Sequence, residues 1–167
     1  LFKLVVTDVD VDVLSEIITT RRHGNPPAAE ATLSSDELET LFGVVDRILL
    51  PGPVSRYIAR LVAASHAGAV EAPQVVRDYV SYGASPRAAI SIAEAARACA
   101  LFDRRPTVGF EDVKSVVPAV LNHRIILNYK ARFDKVDTFA VVDGILSGLD
   151  EAGMDLPADI GLQEATA

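Results

Sequence analysis

Along most of this chain the apolar positions recur every three or four residues, the period of a helix with one buried face. The exception comes first. Phe2, Leu4, Val5, Val6 and Val9 form a short β-branched run that reads as a strand, with no partner strand near it in sequence. Asp10 or Asp12 then caps a helix through about Arg22, with Val13, Leu14, Ile17 and Ile18 at helical spacing. Arg21, Arg22 and His23 fall in its last turn, where cations favour the helix dipole, and Gly24 stops it before the loop Asn25-Pro26-Pro27. Ser34 or Ser35 opens a second helix, with Asp36, Glu37 and Glu39 early in it. Its expected buried stripe is Leu38, Leu41, Phe42 and Val45, and Pro51-Gly52-Pro53 breaks it. A third helix runs from Val54 to about Ser65, with Ile58, Leu61 and Val62 inward and Arg56 and Arg60 outward.

From Gly68 to Ser85 the pattern is ambiguous, and the segment Val75 to Val80 reads equally as strand or short helix. Ser85-Pro86-Arg87 opens the longest helix, to about Phe102, and Asp103-Arg104-Arg105-Pro106 ends it. Gly109 precedes a shorter helix carrying Val113, Val116, Val117, Val120 and Leu121. Residues 125–129 read as extended, and a last helix spans Val136 to about Leu149 with Phe139, Val142, Ile145 and Leu146 on one face. The expected fold class is all-α, a helical bundle with a short stray strand at the start of the chain.

Composition narrows the function classes. The chain has 167 residues, 50% of them hydrophobic and 23% charged, a globular profile. One cysteine excludes an intramolecular disulfide framework and a Cys-rich zinc site. A net charge of −7 argues against a general nucleic-acid binder, and no apolar run is long enough to span a membrane. The charge is uneven. Residues 1–55 hold four basic and nine acidic side chains, residues 56–132 eleven and six, and residues 133–167 one and eight. A basic middle between acidic ends either meets an anion or pairs with its own flanks. The first residue is Leu1, so the chain reads as a piece of a longer polypeptide.

The residues that could carry chemistry are few. There is no glycine-rich phosphate loop ending in Lys-Ser or Lys-Thr, and no strand-end acidic pair for magnesium. His23, His66 and His123 lie far apart in sequence, and Cys99 falls within an Ala-rich helix as an expected buried structural thiol. One segment differs, Tyr82-Gly83-Ala84-Ser85-Pro86-Arg87-Ala88. Ser85 is a favourable N-cap and Pro86 suits the first helical position, which puts Arg87 in the first turn. A cation there is opposed by the dipole by roughly 0.3–1 kcal/mol. Arg87 therefore either joins the helix end in binding a phosphate or pairs with a carboxylate such as Asp78 or Glu94.

The stretch Val76-Arg77-Asp78-Tyr79-Val80, followed by Tyr82-Gly83-Ala84-Ser85-Pro86-Arg87-Ala88, resembles the lid of MoxR-family AAA+ ATPases. Arg97-Ala98 and Ala100-Leu101 continue the likeness, as do Val108-Gly109-Phe110-Glu111-Asp112-Val113 and Val120-Leu121-Asn122-His123-Arg124-Ile125. Phe2-Lys3-Leu4 resembles the end of the last core strand, so the likeness covers about residues 2–130. Gly109-Phe110 stands where the family usually has Thr-Pro.

The resemblance implies three parts: residues 1–10 as the end of an AAA+ core, residues 11–133 as the helical lid, and residues 134–167 as a helix with an acidic tail. It implies that Arg87 is the sensor-2 arginine, reaching the γ-phosphate of ATP in its own or a neighbouring subunit, and that Tyr57 and Ile58 lie near the adenine. ATP and Mg2+ then belong to the full-length protein, and this piece alone is not catalytic. The implied setting is a cytoplasmic homo-hexamer that works as a chaperone-like machine with von Willebrand factor A domain partners. His123 and Arg124 match a His-Arg pair of the family, and both also suit a helix C-terminus. A free-standing helical adaptor without nucleotide, with Arg87 docking an acidic peptide, is the alternative.

Overall fold

A computed structural model describes residues 1–20 and 31–151. Arg21 to Gly24, Asn25 to Pro27 and the acidic tail beyond Gly153 lie outside the described residues. The elements are α1 (Val11–Thr20), α2 (Ser35–Val45), α3 (Gly52–Ala64), α4 (Gln74–Tyr79), β1 (Val80–Tyr82), α5 (Pro86–Phe102), α6 (Phe110–Leu121), β2 (Ile126–Leu127), α7 (Tyr129–Phe133) and α8 (Thr138–Gly148). The all-α expectation holds, with one small antiparallel sheet pairing Val80 with Leu127 and Tyr82 with Ile126.

The core lies between α3, α5, α6 and α8, with α4 beside α8. On α5 the buried face is Ala88, Ile92, Ala95, Ala96 and Ala100, and side chains this small let the neighbouring helices approach closely. The valines of α6 fill that space: Val113, Val117 and Val120 are fully buried. Valine is a mediocre helix former because its χ1 is restricted, so burial rather than propensity holds α6 together. Val141, Val142 and Ile145 of α8 are also fully buried. Helix α8, beyond residue 133, thus packs into the same core as α3, α4 and α6.

The helix ends follow local chemistry. Asp10 accepts the Val13 amide at 2.9 Å and caps α1. Ser34 and Glu37 form a reciprocal capping box on α2, as the Ser-Asp-Glu-rich start predicts. Asn128 caps α7 and Asp137 caps α8. After α5, Arg104 takes φ 57°, with Arg104 N–H bonded to Leu101 O and Arg105 N–H to Ala100 O. That is a Schellman ending built without glycine.

Several expectations are corrected. Residues 1–10 form no strand; Lys3 N–H instead donates to Ala119 O, a free carbonyl at the end of α6. The helix of residues 35–45 stops well before Pro51, and its supposed buried stripe is open: Leu38, Leu41 and Phe42 are exposed and Val45 is only half-buried. Helical spacing reports which residues share a face, not whether another element covers it. Ser85 takes the N-cap backbone conformation of α5, but its hydroxyl accepts no capping bond. Segment 75–80 resolves into both readings in turn, helix α4 and then β1. On α8, Phe139 is exposed while Val141 turns inward.

Candidate functional site

The site is built around the start of α5. The turn Gly83–Ser85 lies between β1 and α5, and Pro86, which lacks an amide hydrogen, occupies the first helical position at no cost to the ladder. Ala84 and Ala88 are fully buried, so this turn is pinned from the inside while Arg87 points to solvent. Among the described residues the Arg87 guanidinium makes no hydrogen bond and no ion pair. The two candidate carboxylates are engaged elsewhere, Glu94 by Arg97 at 2.5 Å and Asp78 by Lys130 at 3.9 Å. Arg87 is therefore an exposed forked cation at a helix end that opposes it and has no side-chain cap. Such an arrangement can accept a phosphate oxyanion. It holds no nucleophile or base of its own.

Tyr57 and Ile58 are core residues of this chain. Tyr57 is fully buried, and its ring meets Phe110 edge to face at 5.5 Å. Its hydroxyl has no hydrogen-bond partner, and burial pushes its pKa above the ordinary tyrosine value. The spacing that put these residues on one face of α3 is right, but that face is the inner one.

His123 and Arg124 close α6. Arg124 donates to Val120 O at 2.6 Å and to Leu1 O at 3.0 Å, and Asn122 donates to Lys3 O at 3.1 Å. The free carbonyls at this helix end are thereby satisfied, in part by the entering segment. Burial, and then the adjacent Arg124 charge, lower the His123 pKa below its ordinary value.

Two further polar clusters flank the core. Arg105 clamps Asp112 bidentately and also meets Asp103 at 2.9 Å. The Asp112 carboxylate in turn accepts the Gly109 amide at 2.7 Å, the backward half of a capping box whose forward half a glycine cannot supply. Cys99 is only half-buried, correcting the buried-thiol expectation, and lines a shallow cleft with Asp103, Arg105, Asp112 and Ser115. On the other side, Arg60 grips Glu71 at 2.5 Å and the carbonyl of Asp150 at 2.8 Å. Lys114, pushed up to about 12 by Glu151 and then Glu111, fixes the end of the described chain. The residues missed by sequence reasoning are Ser65 and His66, on which the Gly83–Ser85 turn rests. Gly83 is the one signal that a close backbone approach occurs there.

Among the described residues no helix is long and apolar enough to cross a membrane, and no group of three His, Cys, Asp or Glu could hold a metal ion. Residues 73–145 match the family model of the AAA lid domain. Chaperone MoxR1 of Mycobacterium tuberculosis is 34% identical over 146 residues, which cover 87% of this chain and 38% of that protein. The protein YeaC of Bacillus subtilis is 35% identical over 82 residues, 48% of this chain and 26% of its own length. A crystal structure of a candidate ATPase from Cytophaga hutchinsonii superposes with a TM-score of 0.80 at 29% identity, covering 89% of this chain and 46% of that one. The chain thus spans less than half the length of each of these relatives. Fold, motif order and these likenesses agree: the chain belongs to the AAA lid family, in its MoxR-type AAA+ branch.

Proposed function

We propose that this chain is the nucleotide-responsive lid of a larger MoxR-type ATPase, with Arg87 as its sensor-2 residue. Residues 1–10, which form no strand in this chain, would join the core where its last strand ends, and the lid would run over residues 11–133. The single observation that carries this reading is the free guanidinium of Arg87, exposed at the start of α5 with its candidate carboxylates taken by other cations. A cation kept where the dipole disfavours it, with no internal anion, is an arrangement that an external oxyanion completes.

ATP and Mg2+ would be held by the core, because this chain carries neither a phosphate-cradling loop nor a magnesium-binding acidic pair. When bound, the metal neutralises charge on the β- and γ-phosphate oxygens. The part of this chain is electrostatic: Arg87 meets negative charge on the terminal phosphate, and α5 transmits the contact to the bundle as rigid-body motion. Within a cytoplasmic homo-hexamer, that motion drives chaperone-like remodelling or the assembly of metal centres and complexes, with von Willebrand factor A domain proteins as partners.

The test is Arg87→Ala in the full-length protein. Loss of one preorganised donor to developing charge lowers turnover on the order of 10²-fold or more, with ATP affinity less affected. Mixing these subunits with subunits unable to bind ATP assigns the arginine to its own site or a neighbour's. Normal turnover in Arg87→Ala would refute the sensor-2 reading.

A further inference from the structure

Resting on the reading of Arg87 above, we infer that Ser65 and His66, at the end of α3, are positioning residues that set where Arg87 points. The geometry is a two-sided grip on one residue. The Ser65 hydroxyl, fully buried, donates to Val62 O at 2.6 Å and accepts the Ala84 amide at 2.9 Å. His66 Nε2 lies 3.0 Å from Ala84 O, and because a carbonyl only accepts, Nε2 carries the proton. Both backbone groups of Ala84 are therefore held by two consecutive residues just past the end of α3.

Gly83 shows how tight the seat is. A Cβ there would stand 2.7 Å from the Ser65 carbonyl oxygen and 2.7 Å from Cγ of the His66 ring. Either distance is shorter than side-chain contacts allow, and one of the two obstacles is backbone, which cannot rotate away. The grip passes directly to Arg87. Ala88 N–H bonds to Ser85 O at 2.8 Å, so the first turn of α5 is closed immediately after the gripped residue.

This grip matters because nothing else orients the arginine. Its side chain has no partner among the described residues, so its reach is set by the direction in which α5 starts. Electrostatic stabilisation of a transferring group depends steeply on placement, and a 1 Å error can cost about 10²-fold. α3 and α5 also pack against each other. A shift of α3 would consequently be felt at Arg87 through Ala84 rather than through solvent.

The experiment uses the full-length protein with His66→Ala, Ser65→Ala, His66→Gln and Arg87→Ala. His66 is exposed, so removing its ring opens no core, and this variant carries the test even if Ser65→Ala folds poorly. The expected result is a fall in turnover of about tenfold for His66→Ala, with the KM for ATP changed less than about twofold. His66→Gln, which keeps an N–H donor, recovers most of the rate. His66→Ala combined with Arg87→Ala turns over no more slowly than Arg87→Ala alone, because the grip acts only through the arginine. A readout independent of turnover comes from this chain by itself. Amide exchange at Ala84 accelerates at least about tenfold in Ser65→Ala, while exchange across α6 stays unchanged.

Wild-type turnover in both His66→Ala and Ser65→Ala, beside a slow Arg87→Ala, overturns the positioning role and leaves the sensor-2 reading intact. Additive losses in the double variant also overturn it. Normal turnover in Arg87→Ala removes the sensor-2 reading and the positioning role together.

Discussion

Tyr57 is the residue where burial and hydrogen bonding disagree most sharply. Its side chain is fully buried and its hydroxyl has no partner. A buried hydroxyl without a bond costs about 1–3 kcal/mol relative to one left in water. Tyr57→Phe removes that cost and keeps the edge-to-face contact with Phe110, whose centroid lies 5.5 Å away. The lost oxygen forfeits only a few dispersion contacts of about 0.1–0.2 kcal/mol each. The variant is expected to be more stable by about 1–2 kcal/mol, and at roughly 2–4 °C per kcal/mol for a chain of this size the midpoint rises several degrees. Urea unfolding measures the same difference at 25 °C. A second signature is pH. Because burial raises the Tyr57 pKa, the unfolded chain ionises first as pH rises past about 10. Stability from this group is thus complete below that pH and is lost above it, and Tyr57→Phe flattens the alkaline limb. Destabilisation by more than about 1 kcal/mol would refute the reasoning, since it would mean that the hydroxyl is satisfied inside the fold.

Asp112 is held below the ordinary carboxylate range chiefly by Arg105, with help from the Gly109 amide. Its stabilising contribution is therefore present above the unfolded carboxylate pKa and lost as pH falls through the folded value; Asp112→Asn should lower stability at pH 7 and flatten the acid limb of unfolding. Gly144 lies against α4, where an added Cβ would come within 2.5 Å of Val75 Cγ1. Gly144→Ala should destabilise by about 1–3 kcal/mol through overpacking, and Val75→Ala in the same chain should reverse most of the loss, read by thermal melting. Arg104 and Lys135 each adopt φ 57°. Replacing either with glycine should add up to about 1 kcal/mol, and the two gains should sum within about 0.5 kcal/mol because the sites are independent. Truncation after Lys135 removes Val141, Val142 and Ile145, fully buried side chains worth about 1.5–3 kcal/mol each, a loss comparable to a domain's whole stability; cooperative unfolding should disappear in calorimetry.

The readable parts of this chain were those governed by neighbours in sequence. Ser34 three residues before Glu37 sets a capping box whatever surrounds it, and Ser85-Pro86 marks the start of α5 because proline and the N-cap conformation are local preferences. The inward faces of α3 and α6 followed from spacing, and the MoxR-type motif order was legible from residue 76 to residue 125. Misreadings came where burial depends on what lies opposite. Leu38, Leu41 and Phe42 have the spacing of a core stripe and remain exposed, because no element covers that face of α2. Tyr57 and Ile58 face Phe110 and the core, a setting that spacing along α3 does not specify.

The candidate site divides along the same line. That Arg87 stands in the first turn of a helix, where the dipole opposes it, is a property of three consecutive residues. That it lacks a carboxylate partner is only partly a local property: Glu94 meets Arg97 three residues along the same helix, a local pair, whereas Asp78 meets Lys130 only through packing. Nor could spacing reveal that Ser65 and His66, just past the end of α3, grip the two backbone groups of Ala84. Dihedral preference, capping and helical period act over three or four residues and are written into the local order of side chains. Which face is covered, which charge is left free and which turn is held depend on contacts between distant segments. Those contacts exist only once the helices have packed.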